Sequence, residues 1–222
     1  MMDVSEGELL TKEQSIEICS LVPKRVDFEF FGESFSIFVA TEREANQWKY
    51  FFRNEHRKFS NTPYQAIYLV IDTINFSFMD SLHYKDKTPK TIYRREGNQM
   101  KCLSKFEYWS TVPTPIPPIF EEPLRDRLLI FNASAIGMKD GAVFFPASPY
   151  QGKSTLLNGW LRNGDSYPLA DNITIIDRET GLILPFVTPT GIRVDTLRMF
   201  PELSGKVKLL PEERTTISPI TG

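Results

Sequence analysis

The feature that most constrains this chain is the run Ala147-Ser148-Pro149-Tyr150-Gln151-Gly152-Lys153-Ser154-Thr155, because of what flanks it. Before it, GAVFF (Gly141 to Phe145) reads as a short buried strand. After it, STLLNGWLRNG reads as a helix with Leu156, Leu157, Trp160 and Leu161 facing inward, stopped near Gly164. Farther on, YPLADNITIID reads as a strand carrying an acid, Asp171. A strand that runs into a turn and then at once into a helix aims several backbone N–H groups at one point. The helix N-terminus adds its partial positive charge, so the unit suits an anion.

In a nucleotide-binding loop of this kind, the lysine reaches the β- and γ-phosphates and the next hydroxyl coordinates magnesium. Lys153 is then the phosphate lysine and Ser154 the magnesium ligand, with Ala147, Ser148, Tyr150, Gln151, Gly152 and Thr155 lining the nucleotide tail. Two residues depart from the usual pattern. Ala147 stands where the first glycine is expected, and a positive φ there would cost about 1 to 2 kcal/mol. Pro149 removes one backbone donor. A Gly-Lys-Ser triplet alone is a weak signal, and the competing reading is an ordinary helix start.

Asp171 follows the helix by one strand. In an open parallel sheet the carboxyl end of that strand lies beside the loop, where a carboxylate holds magnesium directly or through water. The competing reading is an Asp171-Asn172 pair that simply begins a turn.

The rest of the chain divides into readable pieces. VDFEFFGESFSIFV (Val26 to Val39) alternates with period two around Gly32 and Glu33, a β-hairpin. Thr41 and Glu44 form a capping box for a helix whose inward face is Ala45, Trp48, Phe51 and Phe52. AIYLVID (Ala66 to Asp72) reads as a strand. Residues 80–110 carry scattered lysines and arginines without a regular pattern, read as a solvated face. VPTPIPPIFEEP (Val112 to Pro123) packs five prolines into 12 residues, which forbids helix and central strand. It reads as a linker, with an SH3-type ligand as the lesser alternative. LRDRLLIF (Leu124 to Phe131) reads as a helix opened by Pro123, and LILPFV as a strand after a turn at Arg178 to Gly181. The expected organisation is therefore an N-terminal lobe (1–111), a Pro-rich linker (112–123) and a loop-bearing core (124–222).

Composition narrows the function classes. Lys and Arg number 26 against 28 Asp and Glu, a formal net charge of −2, which is no footprint for nucleic acid or an anionic membrane. Cys19 and Cys102, the only cysteines, have no cluster at zinc-ligand spacing, and no apolar run approaches the roughly 20 residues of a membrane span. The acidic N-terminus does not read as a signal peptide, so the expected compartment is the cytoplasm. His56 and His83 lack a serine or cysteine motif to pair with and read as surface residues.

FNASAIGMKDGAVFFPASPYQGKSTLLNGWLRNGDSYPLADNITIID resembles the kinase core of HPr kinase/phosphorylase and its bacterial relatives. These carry a His-Ala-Ser or His-Gly segment, a short hairpin around an Asp-Gly, the phosphate loop, its helix and a strand ending Asp-Asp. The resemblance covers roughly residues 124–185, and more loosely the strand-helix-strand pattern from Val26 to Asp72. It implies an α/β fold with a mixed α+β N-terminal lobe and a P-loop kinase core of the HPr kinase/PEP carboxykinase type. It also implies ATP and Mg2+ as cofactors, and transfer of the γ-phosphoryl group to a serine-type hydroxyl of a peptide, protein or small molecule. Carried over, Gly152, Lys153 and Ser154 bind the phosphates and magnesium, and Asp171 is the first acid of the pair, with a catalytic role. Asn132 stands in place of the histidine, Ala147 of the glycine and Asn172 of the second acid. An amide cannot accept a proton from a substrate hydroxyl, so the alternative is a catalytically impaired nucleotide-binding regulatory module. A transporter-type ATPase is hinted at only by GKSTLL and Leu203-Ser204-Gly205, and no guanine-specificity motif follows the loop. Assembly into a homo-oligomer is left open.

Overall fold

The computed structural model describes residues 7–58, 66–72, 90–106, 119, 123–148, 151–162, 164–209 and 214–217. The chain divides into two compact units, Met1–Pro118 and Ile119–Gly222. The division falls inside the Pro-rich stretch, most of which lies outside the described residues. The fold class is mixed α+β, with small, mostly antiparallel sheets and few helices.

The first unit begins with helix α1 (Lys12–Leu21), followed by strands β1 (Lys24–Phe30) and β2 (Glu33–Val39), helix α2 (Glu42–Phe51), and strands β3 (His56–Arg57), β4 (Ala66–Asp72), β5 (Lys90–Glu96) and β6 (Gln99–Phe106). These strands form one six-stranded sheet in the order β3-β1-β2-β4-β5-β6. Only β2 and β4 run parallel, and α2 lies in the connection between them. The β1–β2 hairpin turns at Phe31-Gly32, both with positive φ (53° and 88°), as a tight two-residue turn requires.

Period-two alternation buries Val26, Phe28 and Phe30 of β1 and Phe35, Ile37 and Val39 of β2. Trp48 and Phe52 close over them, with Phe28–Trp48, Phe28–Phe52 and Phe30–Phe52 ring centroids 5.9, 6.0 and 5.4 Å apart. The inward face expected for α2, Ala45, Trp48, Phe51 and Phe52, is buried as a set. Phe38 and Ala40, which alternate to the other face, pack with Leu10, Ile18, Val22, Tyr93, Met100 and Cys102.

Two expectations for this unit need correction. The stretch read as irregular contains a hairpin, β5–β6, turning at Gly97-Asn98 and shifting register once between Ile92 and Tyr93, and part of its charge is paired: Arg94 Nη2 lies 2.6 Å and Lys101 Nζ 3.6 Å from the Glu96 carboxylate. His56 is half-buried rather than a surface residue, edge-on to Phe28 at 5.9 Å. His83 lies outside the described residues.

The second unit comprises α3 (Leu124–Arg127), β7 (Leu128–Phe131), β8 (Ala133–Met138), β9 (Gly141–Pro146), α4 (Lys153–Leu161), β10 (Tyr167–Ala170), β11 (Thr174–Asp177), β12 (Ile183–Leu184), β13 (Thr190–Arg193), α5 (Val194–Met199), a 3-10 helix (Pro201–Lys206), β14 (Val207–Leu209) and β15 (Arg214–Ile217). Its strands form three three-stranded sheets, β10-β8-β9, β12-β11-β7 and β13-β15-β14, with antiparallel neighbours throughout.

The helix expected over Leu124–Phe131 is a single turn followed by a strand. Leu128 to Phe131 alternate buried, exposed, half-buried, exposed, and they pair with Thr174–Asp177. Eight residues are too few to separate a 3.6 period from a period of two, and a pairing partner decided the matter. YPLADNITIID is two strands in two sheets, broken where Asn172 takes φ 68°. LILPFV contributes only Ile183–Leu184 to a strand, plus a bridge between Phe186 and Ala170. GAVFF is half-exposed rather than buried, and Leu156, expected inward, is 44% exposed.

Candidate functional site

The expected open parallel sheet around the loop is an antiparallel trio. Strands β9 and β10 each run antiparallel to β8, which lies between them. They therefore run parallel to one another, and their carboxyl ends lie at the same end of the sheet. The 147–152 loop leaves β9 at that end and Asp171 follows β10 there, so the expected neighbourhood of loop and acid holds although the sheet differs.

The loop turns into α4 at Gly152, which has φ 81° and ψ 14°, a left-handed conformation that a side chain disfavours. Among the described residues no side chain caps this helix, and its first turn has no acid. Its leading N–H groups are thus not claimed by a side chain of their own helix. Ala147 is not among the residues with positive φ, so the strain anticipated for it does not arise. Its N–H donates to Asn132 O at 3.3 Å, which places Asn132, where relatives of the resembled family carry histidine, beside the loop through its backbone.

Lys153 is buried, and its ammonium donates to Ala147 O at 2.8 Å and Ser148 O at 3.1 Å. It ties the first residues after β9 to the first residue of α4. Gln151 bends back so that its Oε1 accepts from Ser148 N–H at 3.0 Å, occupying one donor of the cradle with a side chain. Pro149 and Tyr150 lie outside the described residues.

Ser154 and Asp171 meet. Ser154 Oγ lies 3.1 Å from Asp171 Oδ1 and 3.0 Å from Oδ2, and Asp171 is buried at 4% exposure. Asn172 is exposed, because its left-handed backbone turns it away as Asp171 turns in. Thr155 does not join the loop's polar set: its hydroxyl lies 3.0 Å from that of Thr196 on α5. Helix α4 packs on β8 and β10, and Trp160 stacks edge-on to Phe145 of β9 at 5.6 Å.

Sequence reasoning assigned no part to Ser134 or Thr196. Ser134, fully buried on β8, donates to Asp171 Oδ1 at 2.5 Å. The signals available for it were its place in Asn132-Ala133-Ser134, at the serine of the His-Ala-Ser segment of the resembled family, and a lone hydroxyl in the otherwise small and apolar segment Ala133–Gly137. Nothing in the sequence distinguished Thr196.

Could these residues hold a magnesium ion with a nucleotide? The donor set is one hydroxyl and one carboxylate, and among the described residues no three His, Cys, Asp or Glu side chains cluster. Magnesium characteristically takes one or two carboxylates and completes its shell with substrate phosphates and water, so the set suits it better than an all-protein metal cage. Among the described residues, no helix is long and apolar enough to cross a membrane. Comparison with protein-family models, curated proteins and solved structures gives no match.

Proposed function

We propose that the second unit binds ATP with Mg2+ through the 147–155 loop and transfers the γ-phosphoryl group to a hydroxyl of a peptide, protein or small molecule, with a P-loop kinase core of the HPr kinase type. The observation that carries this reading is the contact of Ser154 with both oxygens of Asp171, at 3.1 and 3.0 Å, one residue beyond the buried Lys153. A hydroxyl and a carboxylate at the start of an uncapped helix are the two protein groups that a phosphate-bound magnesium needs.

In this reading Lys153 neutralises the β- and γ-phosphate oxygens, and the N–H groups leading α4 receive the phosphate tail. Bound magnesium supplies charge neutralisation on the transferring group. The acceptor oxygen bonds to the γ-phosphorus as the bond to the β–γ bridging oxygen breaks, and ADP leaves. Because Asp171 already takes hydroxyl donors on both oxygens, its part lies on the metal side, and the acceptor's proton passes to water or to a group of the acceptor complex.

A second reading has its own support. Asn172, at the position of the resembled family's second acid, is exposed and carries an amide, which favours a nucleotide-binding regulatory module without turnover.

Incubation with γ-labelled ATP, Mg2+ and a lysate of the source organism, with mass spectrometry of labelled species, separates the two. The kinase reading expects a labelled acceptor, with labelling lowered at least about a hundredfold by Lys153→Ala, the loss typical of a deleted charge-stabilising donor. A labelled acceptor unaffected by Lys153→Ala overturns the assigned role. A thermal shift with Mg·ATP but no label supports the regulatory module, and no shift with any nucleotide removes both.

A further inference from the structure

We propose that Ser134 is the positioning residue of the metal side, holding Asp171 in place for the divalent cation; this rests on the nucleotide-site reading above. Strand β8 is the middle strand of its sheet, and Ala133 to Gly137 are all buried. A hydroxyl in such a place must find an acceptor or incur the cost of an unmet polar group. Ser134 finds it in Asp171 Oδ1 at 2.5 Å, within the range of charge-assisted bonds, across a sequence separation of 37 residues.

The two hydroxyls on Asp171 are not equivalent. Ser154 lies on the first turn of α4, half-buried, and has one proton to share between Oδ1 and Oδ2. The Ser154 hydroxyl would turn if its lone pairs were drawn to a cation. Ser134 is fully buried, and among the described residues its hydroxyl contacts no other side chain. Its bond to Oδ1 persists through that reorientation, and Oδ2 stays turned toward Ser154 and the helix start. Without Ser134 the carboxylate loses its fixed donor and is free to rotate, so the geometry that a small octahedral ion demands is no longer preset.

The test is calorimetric titration of the full chain with ATP, with and without Mg2+, in the wild type, Ser134→Ala and Ser134→Cys. Cysteine keeps the shape of serine with a somewhat larger atom and donates only weakly, so it stands in should the alanine variant unfold. Both variants are expected to need at least about tenfold more Mg2+ for half-maximal tightening, the loss characteristic of an outer partner of a metal ligand. Affinity for ATP without Mg2+ should stay within about twofold, since among the described residues the Ser134 hydroxyl contacts Asp171 and no residue of the loop. Unchanged magnesium dependence with only a lowered unfolding temperature would make Ser134 a structural hydroxyl and overturn the proposal. Wild-type protein that binds no nucleotide under either condition would overturn the site reading itself, and this inference with it.

Discussion

Helices α2 and α4 begin in opposite ways. At α2, Thr41 Oγ1 accepts from Glu44 N at 3.2 Å and Glu44 Oε2 accepts from Thr41 N at 2.9 Å, a closed capping box with two acids in the first turn. At α4 a left-handed glycine opens the helix, with no side-chain cap and no acid. The interiors differ in the same sense. The first unit fills its centre with Phe28, Phe30, Phe35 and Phe52 and also buries Ser15, Ser36 and Glu44, whereas the second, beside its own apolar core, buries Ser134, Lys153, Asp171, Thr174, Asp177 and Thr196. The first unit closes its helix start, although the Glu55 Oε2 that it buries has no hydrogen-bond partner among the described residues. The second has a helix start with no side-chain cap among the described residues and sets Lys153, Asp171 and Ser134 beside it in hydrogen bonds to one another and to the loop, a polar group held in place before any ligand arrives.

The largest effect that can break this contrast is in the aromatic centre. Phe28 is fully buried and stacked on Phe30, Trp48, Phe52 and His56, so Phe28→Ala should cost about 3 to 5 kcal/mol in chemical denaturation. Nucleotide titration of the folded variant should be unchanged. A weakened nucleotide response would mean that the site draws on the first unit's core.

Next comes a titration. Burial raises the Glu55 carboxyl from its ordinary value of 4.5 to about 7, against the opposing pull of its own backbone N–H and of Arg57. Its Oε2 is buried without a hydrogen-bond partner among the described residues, which agrees in direction. A carboxyl held above its unfolded value favours folding while protonated. Its contribution is therefore complete below pH about 4.5 and fades as pH rises through about 7, by about 2 to 3 kcal/mol. The neighbouring His56 is shifted the other way, below its ordinary value, by burial first and by Lys49 and Lys58 next, so it resists becoming charged as pH falls. Glu55→Gln should flatten the decline in denaturation midpoint across that interval, and a slope equal to the wild type's would remove Glu55 as its source.

The smallest effect tests the caps. Thr41→Ala should lower stability by about 1 kcal/mol, read as a shift in denaturation midpoint, while leaving nucleotide binding alone. No loss of stability would mean that the closed box does not stabilise α2, and the contrast with α4 would lose its energetic meaning.

What was legible in the sequence follows the range of the interactions. The β1–β2 hairpin, the inward face of α2, and the order of strand, loop, helix and strand around Gly152 rest on alternation, capping and glycine, which act within a few residues. Where a short apolar run had to choose its period, the reading failed. Leu128–Phe131 became a strand by pairing with Thr174–Asp177, and Leu156 was left outward once α4 had settled on β8 and β10.

For the candidate site, the amino-acid order alone determined which residues could act: a lysine and a serine at a helix start and an acid one strand later. Tertiary structure decided which of them meet. It placed β8 between β9 and β10, brought Ser134 from 37 residues away onto Asp171, took Thr155 to Thr196, and turned Asn172 outward. Local chemistry is written in neighbouring side chains, but a contact between distant residues exists only after sheet order and register have been set by the burial of the whole chain.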